Sequence, residues 1–153
     1  MKIIVDDVTD PDVLALLDEH LRDMYASSPP ESVHALDPDE LRAADVTFWT
    51  AWDGPALLGC GALKELDSTH GEIKTMRTAK NQLRQGVAAA ILAHIVDIAR
   101  ERGYERLSLE TGSGGPFEAA LRFYESQGFE YCEPFADYVL DPFSRFMTRE
   151  LTP

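Results

Sequence analysis

The feature that most constrains the fold is a junction between a predicted strand, residues 72–78, and a long predicted helix, residues 84–102. The helix has apolar residues at helical spacing: Ala88, Leu92, Ile95 and Ala99. Gly103 follows where a glycine commonly ends a helix. A strand that leads through a short loop into an amphipathic helix is typical of an α/β fold.

Charge reverses sharply at this junction. Residues 1–72 hold sixteen Asp and Glu against four Lys and Arg, whereas residues 73–86 hold four basic residues and no acid: Lys74, Arg77, Lys80 and Arg84. Unpaired N–H groups and the helix dipole favour a phosphate at a helix start. Small residues let the phosphate approach the backbone: Gly86, Ala88 and Ala89. The junction is therefore predicted to hold a pyrophosphate.

The rest of the chain also alternates strands with helices. Further strands are predicted at residues 3–5, 46–52, 56–66, 106–111, 129–132 and 146–151. Further helices are predicted from residue 11, at residues 38–44 and at residues 116–127, and a loop at residues 133–145. With 153 residues, residues 1–153 are expected to form a single domain.

The composition of the chain limits the classes of partner that it is expected to bind. A net charge of -13 argues against nucleic acid and membrane partners, and it suits a cationic or amine-bearing small molecule. No apolar run is long enough to span a membrane, and no secretory signal is evident, so a cytoplasmic location is expected.

Cysteine and histidine spacing predicts no metal site. Cys60 and Cys132 lie far apart without a CxxC pattern, so both are expected to be buried thiols. The four histidines have no ligand spacing: His20, His34, His70 and His94.

Two motifs carry a resemblance to a known family. The segment 83–88, LRQGVA, and the segment 120–129, ALRFYESQGF, resemble the two signatures of the GCN5-related N-acetyltransferases, the GNAT family. Leu83 stands where that family usually has Gln or Arg, and Phe117 stands where it often has Asn. The segments GALKELD, GEIKTMR and LSLETG are also similar to a bacterial subgroup of small acetyltransferases defined by sequence more than by substrate.

The resemblance covers essentially the whole chain and implies a fold and a reaction. The implied fold is a single GNAT-type α/β domain with a mixed, mostly antiparallel sheet that is flanked by helices and splayed at strands four and five. The implied reaction is direct transfer of an acetyl group from acetyl-CoA, the co-substrate, to a primary amine. That amine belongs to a small molecule, or it is an amino-terminal or lysine amine. A homodimer is a further possibility.

The resemblance also implies site residues. Glu72 is expected to accept the amine proton and Tyr124 to protonate the leaving thiolate. The expected acetyl-CoA contacts are Met76, Arg77, Thr78, Arg84, Gln85, Gly86, Val87, Ala88 and Ala89.

Simpler interpretations stay open for several of these residues. Glu72 could be an exposed carboxylate at a strand edge, with Glu110 or Asp67 as the base instead. Tyr124 could only pack, Arg77 could face a carboxylate of the acceptor, and Lys80 could be a solvated charge. Several side chains belong to elements expected on the acceptor side: Tyr25, Trp49, Phe135, Asp137 and Tyr138.

Two other functions are weighed against the transferase. The first is a noncatalytic acyl-CoA-binding module that keeps the pyrophosphate site but does not catalyse the reaction. The second is a dinucleotide-binding oxidoreductase, which the absence of a GxGxxG motif disfavours.

Overall fold

A computed structural model describes residues 1–151 of the chain. Its seven strands form one sheet in the order β1-β2-β3-β4-β5-β7-β6. The strands are β1 (Lys2–Val5), β2 (Val46–Asp53), β3 (Ala56–Asp67), β4 (His70–Thr78), β5 (Arg106–Gly112), β6 (Glu130–Tyr131) and β7 (Ser144–Glu150). Their number and order along the chain agree with the predicted pattern.

The sheet is mixed and mostly antiparallel, as predicted. Only β4 and β5 run parallel, and they pair over just three positions, the last of which joins Glu72 to Ser108. Beyond that pair the two strands have no ladder bonds, so the predicted splay between the fourth and fifth strands is confirmed. A single parallel pair also differs from the largely parallel sheet of a doubly wound dinucleotide-binding fold.

Four α-helices connect these strands: α1 (Pro11–Ser27), α2 (Pro38–Leu41), α3 (Val87–Glu101) and α4 (Glu118–Ser126). The Asp10 side chain caps α1. Asp37 and Glu40 form a capping box that starts α2. None of the helices within residues 1–151 is long and apolar enough to cross a membrane.

Several predicted boundaries were wrong. The helix predicted at residues 38–44 is only four residues long, and the one predicted at residues 116–127 begins with a separate 3₁₀ turn at Gly115–Phe117. The sixth strand pairs over two residues rather than four. The seventh begins at Ser144, two residues earlier than predicted.

The start of α3 lies at the predicted phosphate site. The helix begins at Val87 and not at Arg84 as predicted, because Gly86 has φ of 80° and Arg84 has φ of 64°. Both residues are in the left-handed region, which an α-helix excludes. Arg84 and Gln85 therefore lie in the loop that precedes the helix.

Apolar side chains pack on both faces of the sheet. The larger cluster lies under α3 and α4 and includes Leu63, Ile95 and Leu107. The smaller one lies under α1 and includes Leu17 and Phe48. Cys60 is buried as predicted, but Cys132 is only half-buried, and neither forms a disulfide.

Candidate active site

The splay between β4 and β5 separates two clefts and leaves a small cavity between them. The α3 cleft, about 740 Å³, lies between the end of β4, the start of α3 and α4. The inner cavity, about 140 Å³, lies in the gap itself. The outer groove, about 870 Å³, opens on the far side of the sheet.

The α3 cleft collects nearly all the residues predicted to contact acetyl-CoA. Eight of them line it: Met76, Arg77, Thr78, Arg84, Gly86, Val87, Ala88 and Ala89. Gln85 does not line the cleft and is exposed to solvent. The loop places its neighbours Arg84 and Gly86 toward the cleft instead.

The N-terminus of α3 is suited to an anion. The first helical bond runs from the Ala90 N–H to the Gly86 carbonyl, and no side chain caps the helix. The N–H groups of Val87 to Ala89 are thus left for a ligand. A Cβ added at Gly86 would meet no atom within 4 Å, so there is open space beside the backbone. The first turn holds no acid. These residues fit a pyrophosphate.

Arg77 is already engaged by carboxylates. Its guanidinium donates to Glu19 over 2.6 Å and also to Asp23, both on α1. The expected contact between this guanidinium and a phosphate would have to displace these ion pairs. Lys80, by contrast, is 68% exposed and lies 4.0 Å from Glu19, as expected of a solvated charge.

The end of β4 offers backbone groups to the gap. A bulge at residues 75–76 interrupts the pairing of β3 with β4, and Thr75 has φ of 53°. The thiol of Cys60 donates to the Thr75 carbonyl over 3.3 Å. On the other side of β4, the N–H and C=O groups beyond Glu72 have no partner strand. This edge is where the sequence predicts contacts to the thioester arm.

The two clefts and the cavity share walls. Met76, Ala120 and Tyr124 line both the α3 cleft and the inner cavity. Glu72 and Lys74 line both the inner cavity and the outer groove. Tyr124 therefore separates the α3 cleft from the inner cavity, and the inner cavity adjoins the outer groove.

Glu72 is not an exposed strand-edge carboxylate, so that interpretation was wrong. The residue is 3% exposed. Its Oε2 accepts a bond of 2.5 Å from the Tyr138 hydroxyl and one of 3.3 Å from the Lys74 ammonium. The Tyr138 hydroxyl in turn accepts a bond of 2.9 Å from Lys74. The three groups form a closed cluster at the point where β4 and β5 separate.

The two alternative carboxylates lie in different places. Glu110 is half-buried on β5 and lines the inner cavity. Burial raises the pKa of Glu110 to about 7. Asp67 lies in the outer groove at the end of β3 and does not line the inner cavity.

Tyr124 is packed in the core and also lines the α3 cleft and the inner cavity. It is 7% exposed, and its ring makes edge-to-face contacts with Phe123 and Phe129. Burial raises the pKa of its hydroxyl. Packing of the Tyr124 ring is thus compatible with a contact between its hydroxyl and a bound group.

The acceptor-side residues divide into lining and packing groups. Tyr25, Asp137 and Tyr138 line the outer groove. Trp49 instead packs in the core, with its ring 5.6 Å from that of His94 on α3. Phe135 packs against Tyr138 and Phe146.

Sequence reasoning missed two residues that line the inner cavity. His20 is buried, and its Nδ1 has no hydrogen-bond partner within residues 1–151. Burial, and then the nearby Arg77, lower the pKa of His20 to about 4. A histidine within the apolar stripe of α1 beside Leu16 and Leu17 was the available signal. Lys74 was assigned only to the cationic junction, although its ammonium contacts Glu72.

No group of three or more His, Cys, Asp or Glu side chains among the described residues could hold a metal ion.

Comparison with known proteins assigns the class. The sequence model of the acetyltransferase (GNAT) family matches residues 13–129. The chain belongs to this family, and the predicted enzyme class, an acetyltransferase, is confirmed.

Two bacterial relatives are similar over nearly their whole length. The chain is 59% identical over 151 residues to the uncharacterized N-acetyltransferase YsnE of Bacillus subtilis, covering 99% of this chain and 100% of that protein. It is 54% identical over 149 residues to the uncharacterized N-acetyltransferase YedL of Escherichia coli, covering 97% and 94%.

Solved structures share the fold. A Klebsiella pneumoniae protein assigned as an acyl-CoA N-acyltransferase superimposes with a TM-score of 0.79 at 26% identity, covering 99% of this chain and 97% of that chain. An aminoglycoside 6'-N-acetyltransferase complexed with coenzyme A superimposes with a TM-score of 0.72 at 16% identity, covering 100% and 98%.

Proposed function

We propose that this protein transfers an acetyl group from acetyl-CoA directly to a primary amine of a small molecule. Its family supports the reaction class, and a structural neighbour that was solved with coenzyme A supports the donor. We further propose that residues 1–153 form one catalytic domain that acts in the cytoplasm, without nucleic acid or membrane partners.

The observation that carries this proposal is the wall formed by Tyr124. On one side of Tyr124 the α3 cleft has an uncapped helix start and open space at Gly86. On its other side the inner cavity contains the carboxylates of Glu72 and Glu110. Direct transfer needs a donor site and an acceptor site that meet at one reacting centre.

Each residue has a defined task in this proposal. The N–H groups of Val87 to Ala89, with Arg84, hold the pyrophosphate. Backbone groups of Met76 and Thr78 on the open edge of β4 orient the thioester arm. The bound co-substrate supplies an activated acetyl group. A carboxylate in the inner cavity accepts the proton of the amine, and the Tyr124 hydroxyl stands beside the departing sulfur.

A thiol-release assay tests this proposal. The purified protein would be incubated with acetyl-CoA and one amine at a time. The amines are benzylamine, putrescine, glycinamide and a lysine-containing peptide. Amine-dependent thiol release, with the acetylated amine found by mass spectrometry, is the expected result. Acceptance of the peptide alone would move the acceptor class from small molecules to proteins.

The noncatalytic alternative has its own signature. A binding module would show acetyl-CoA affinity in calorimetry but no amine-dependent thiol release with any of these acceptors. A dinucleotide-binding protein would be stabilised against heat by NAD, because a ligand that binds only the folded state raises the melting temperature. We expect acetyl-CoA, and not NAD, to do so.

A further inference from the structure

We propose that Glu110, and not Glu72, takes the proton from the acceptor amine, and that Glu72 is a positioning residue. This division of roles rests on the proposed acetyltransferase function. It follows from how the two carboxylates are placed and what each one already contacts.

Both carboxylates face the same space. Glu72 pairs with Ser108 in the last rung between β4 and β5. Glu110 lies two residues beyond Ser108 on β5, so its side chain is on the same face of the sheet. Glu72 therefore stands where the strands separate, and Glu110 stands along the open arm of β5. Both line the inner cavity.

Glu72 is committed to a structural cluster. Its Oε2 accepts bonds from Tyr138 and Lys74, and the Lys74 side chain is itself only 9% exposed. Separating a buried ammonium from its carboxylate is costly, since each would be left unpaired away from water. Use of Glu72 as the base would have a similar cost, because it would cancel the negative charge that the buried Lys74 ammonium contacts. The cluster also ties the segment that carries Tyr138 to β4, which shapes the wall of the outer groove.

Glu110 has no such commitment. It forms no ion pair with any of residues 1–151. A half-buried carboxylate that is not paired, at the wall of a cavity, is available to an incoming ammonium group.

The charges around Glu110 suit proton transfer near neutral pH. Burial, the main cause, raises its pKa to about 7, and Glu72 and Asp141 raise it as well, whereas Ser144 and Lys74 lower it. A general base works best when its pKa is near the working pH. The other titratable groups that line the cavity are His20, His34 and Tyr124.

The proposed step balances in atoms and charge. The acceptor enters as an ammonium ion and gives one proton to the Glu110 carboxylate. The nitrogen lone pair then forms the C–N bond with the acetyl carbon, and the C–S bond breaks with its electrons on sulfur. The Tyr124 hydroxyl donates a proton to the thiolate and regains one from solvent, and solvent receives the second proton of the nitrogen. Glu110 then returns its own proton to solvent. The net products are the amide, the free thiol and one proton.

The pH dependence of kcat/KM separates the two carboxylates. With putrescine and with benzylamine as acceptors, wild type should lose activity on the acid side with a pKa near 7. Glu110→Gln should remove this acid limb and reduce kcat/KM at neutral pH by about 10²-fold or more. Glu72→Gln should keep the limb but move it to lower pH, because the Glu72 charge raises the pKa of Glu110. The reverse pattern, a limb lost only in Glu72→Gln, would overturn the assignment.

A second variant covers the case in which Glu110→Gln does not fold. Ser144→Ala removes a hydroxyl that lowers the pKa of Glu110, so the acid limb should move to higher pH. An unmoved limb in a folded Ser144→Ala protein would contradict the assignment.

A measurement without any substrate provides an independent readout. Infrared difference spectra of the ligand-free protein between pH 5 and pH 9 should show one carboxylic acid that ionises near pH 7. Its signal should be absent in Glu110→Gln and present in Glu72→Gln. A signal that persists in Glu110→Gln would belong to another group and would contradict the proposal.

Failure of this inference is distinguishable from failure of the proposed function. A wild-type protein that releases no thiol with any amine contradicts the proposed function, and the catalytic role of Glu110 falls with it. A wild-type protein that turns over while Glu110→Gln keeps its acid limb contradicts only the assignment of the base.

Discussion

The α3 cleft and the inner cavity differ in what they are made of. The α3 cleft presents backbone N–H groups and small residues, with open space at Gly86 and no acid in the first turn of α3. The inner cavity presents side-chain charges, with Glu72 and Lys74 in contact and Glu110 nearby. One site is defined by backbone shape and the other by long-range pairing of side chains.

This difference separates the consequences of mutation. A substitution in the α3 cleft should weaken binding of the donor, because the proposed phosphate contacts there are backbone N–H groups that a new side chain would block. A substitution in the inner cavity should act on turnover, pH dependence or stability while binding of the donor survives. The following predictions test that separation, beginning with the largest expected effect.

Gly86→Glu should reduce acetyl-CoA affinity by more than about 10²-fold. A carboxylate at this position would repel the phosphates and fill the open space beside the helix start. Calorimetric titration measures the loss. Gly103→Glu is the matched control, since Gly103 has the same left-handed φ at the other end of α3 and also has no atom within 4 Å of an added Cβ. Equal affinity of the two variants would remove the phosphate site from Gly86.

Tyr124→Phe should lower turnover by about 10²-fold while acetyl-CoA affinity stays within a few-fold. The phenyl ring keeps the contacts with Phe123 and Phe129, so the fold should persist. Steady-state kinetics with donors whose thiols differ in pKa measure the effect, which should shrink as the leaving thiol becomes more acidic. Unchanged turnover with every donor would make Tyr124 a packing residue only.

Replacing His20 should reduce the loss of unfolding free energy that occurs as the pH falls. The folded state holds the pKa of His20 near 4, below its ordinary value of 6.5. As the pH falls, the unfolded chain therefore binds a proton at His20 at a higher pH than the folded chain does. The contribution of His20 is fully present above pH 6.5 and is lost as the pH falls to about 4, on the order of 2 to 3 kcal/mol.

Urea unfolding from pH 7 to pH 4 checks the His20 prediction. Wild type should lose more stability over this range than His20→Asn does. His94→Asn, a half-buried histidine on α3, serves as the control for losing an imidazole elsewhere. Parallel profiles for wild type and His20→Asn would show that His20 does not cause the acid sensitivity.

Tyr138→Phe should cost about 1 to 2 kcal/mol of unfolding free energy, because it removes a donor to the buried Glu72 and an acceptor for Lys74. The acceptor KM should rise several-fold, and acetyl-CoA affinity should not change. Denaturant unfolding and kinetics measure both. Tyr131→Phe, at a 54% exposed tyrosine, should have neither effect. A Tyr138→Phe variant with wild-type stability and KM would argue against the positioning cluster.

The same contrast explains what could be predicted from the sequence. The α3 cleft was largely predictable because residues 84–89 are contiguous in the sequence and five of these six residues line it. Even there, Gln85 does not line the cleft, because the left-handed Arg84 and Gly86 delay the start of α3. Local patterns indicate an apolar face well, but they do not fix the residue at which a loop becomes a helix.

The inner cavity was less predictable because its contacts are distant in sequence. The Glu72–Tyr138 bond joins residues 66 positions apart, and the Lys74–Tyr138 bond joins residues 64 positions apart. No local pattern reports such pairs. The mixed, mostly antiparallel sheet and its splay were implied by the family resemblance, whereas the hydrogen bonds of Glu72 and the unpaired state of Glu110 required the three-dimensional structure.

The most direct test of the central claim, that donor and acceptor sites meet at Tyr124, is a crystal structure of the complex with acetyl-CoA. The thioester sulfur should lie within about 3.5 Å of the Tyr124 hydroxyl, with the acetyl group directed into the inner cavity toward Glu110. A thioester held away from Tyr124, or an acetyl group that points to solvent instead of the inner cavity, would contradict the account.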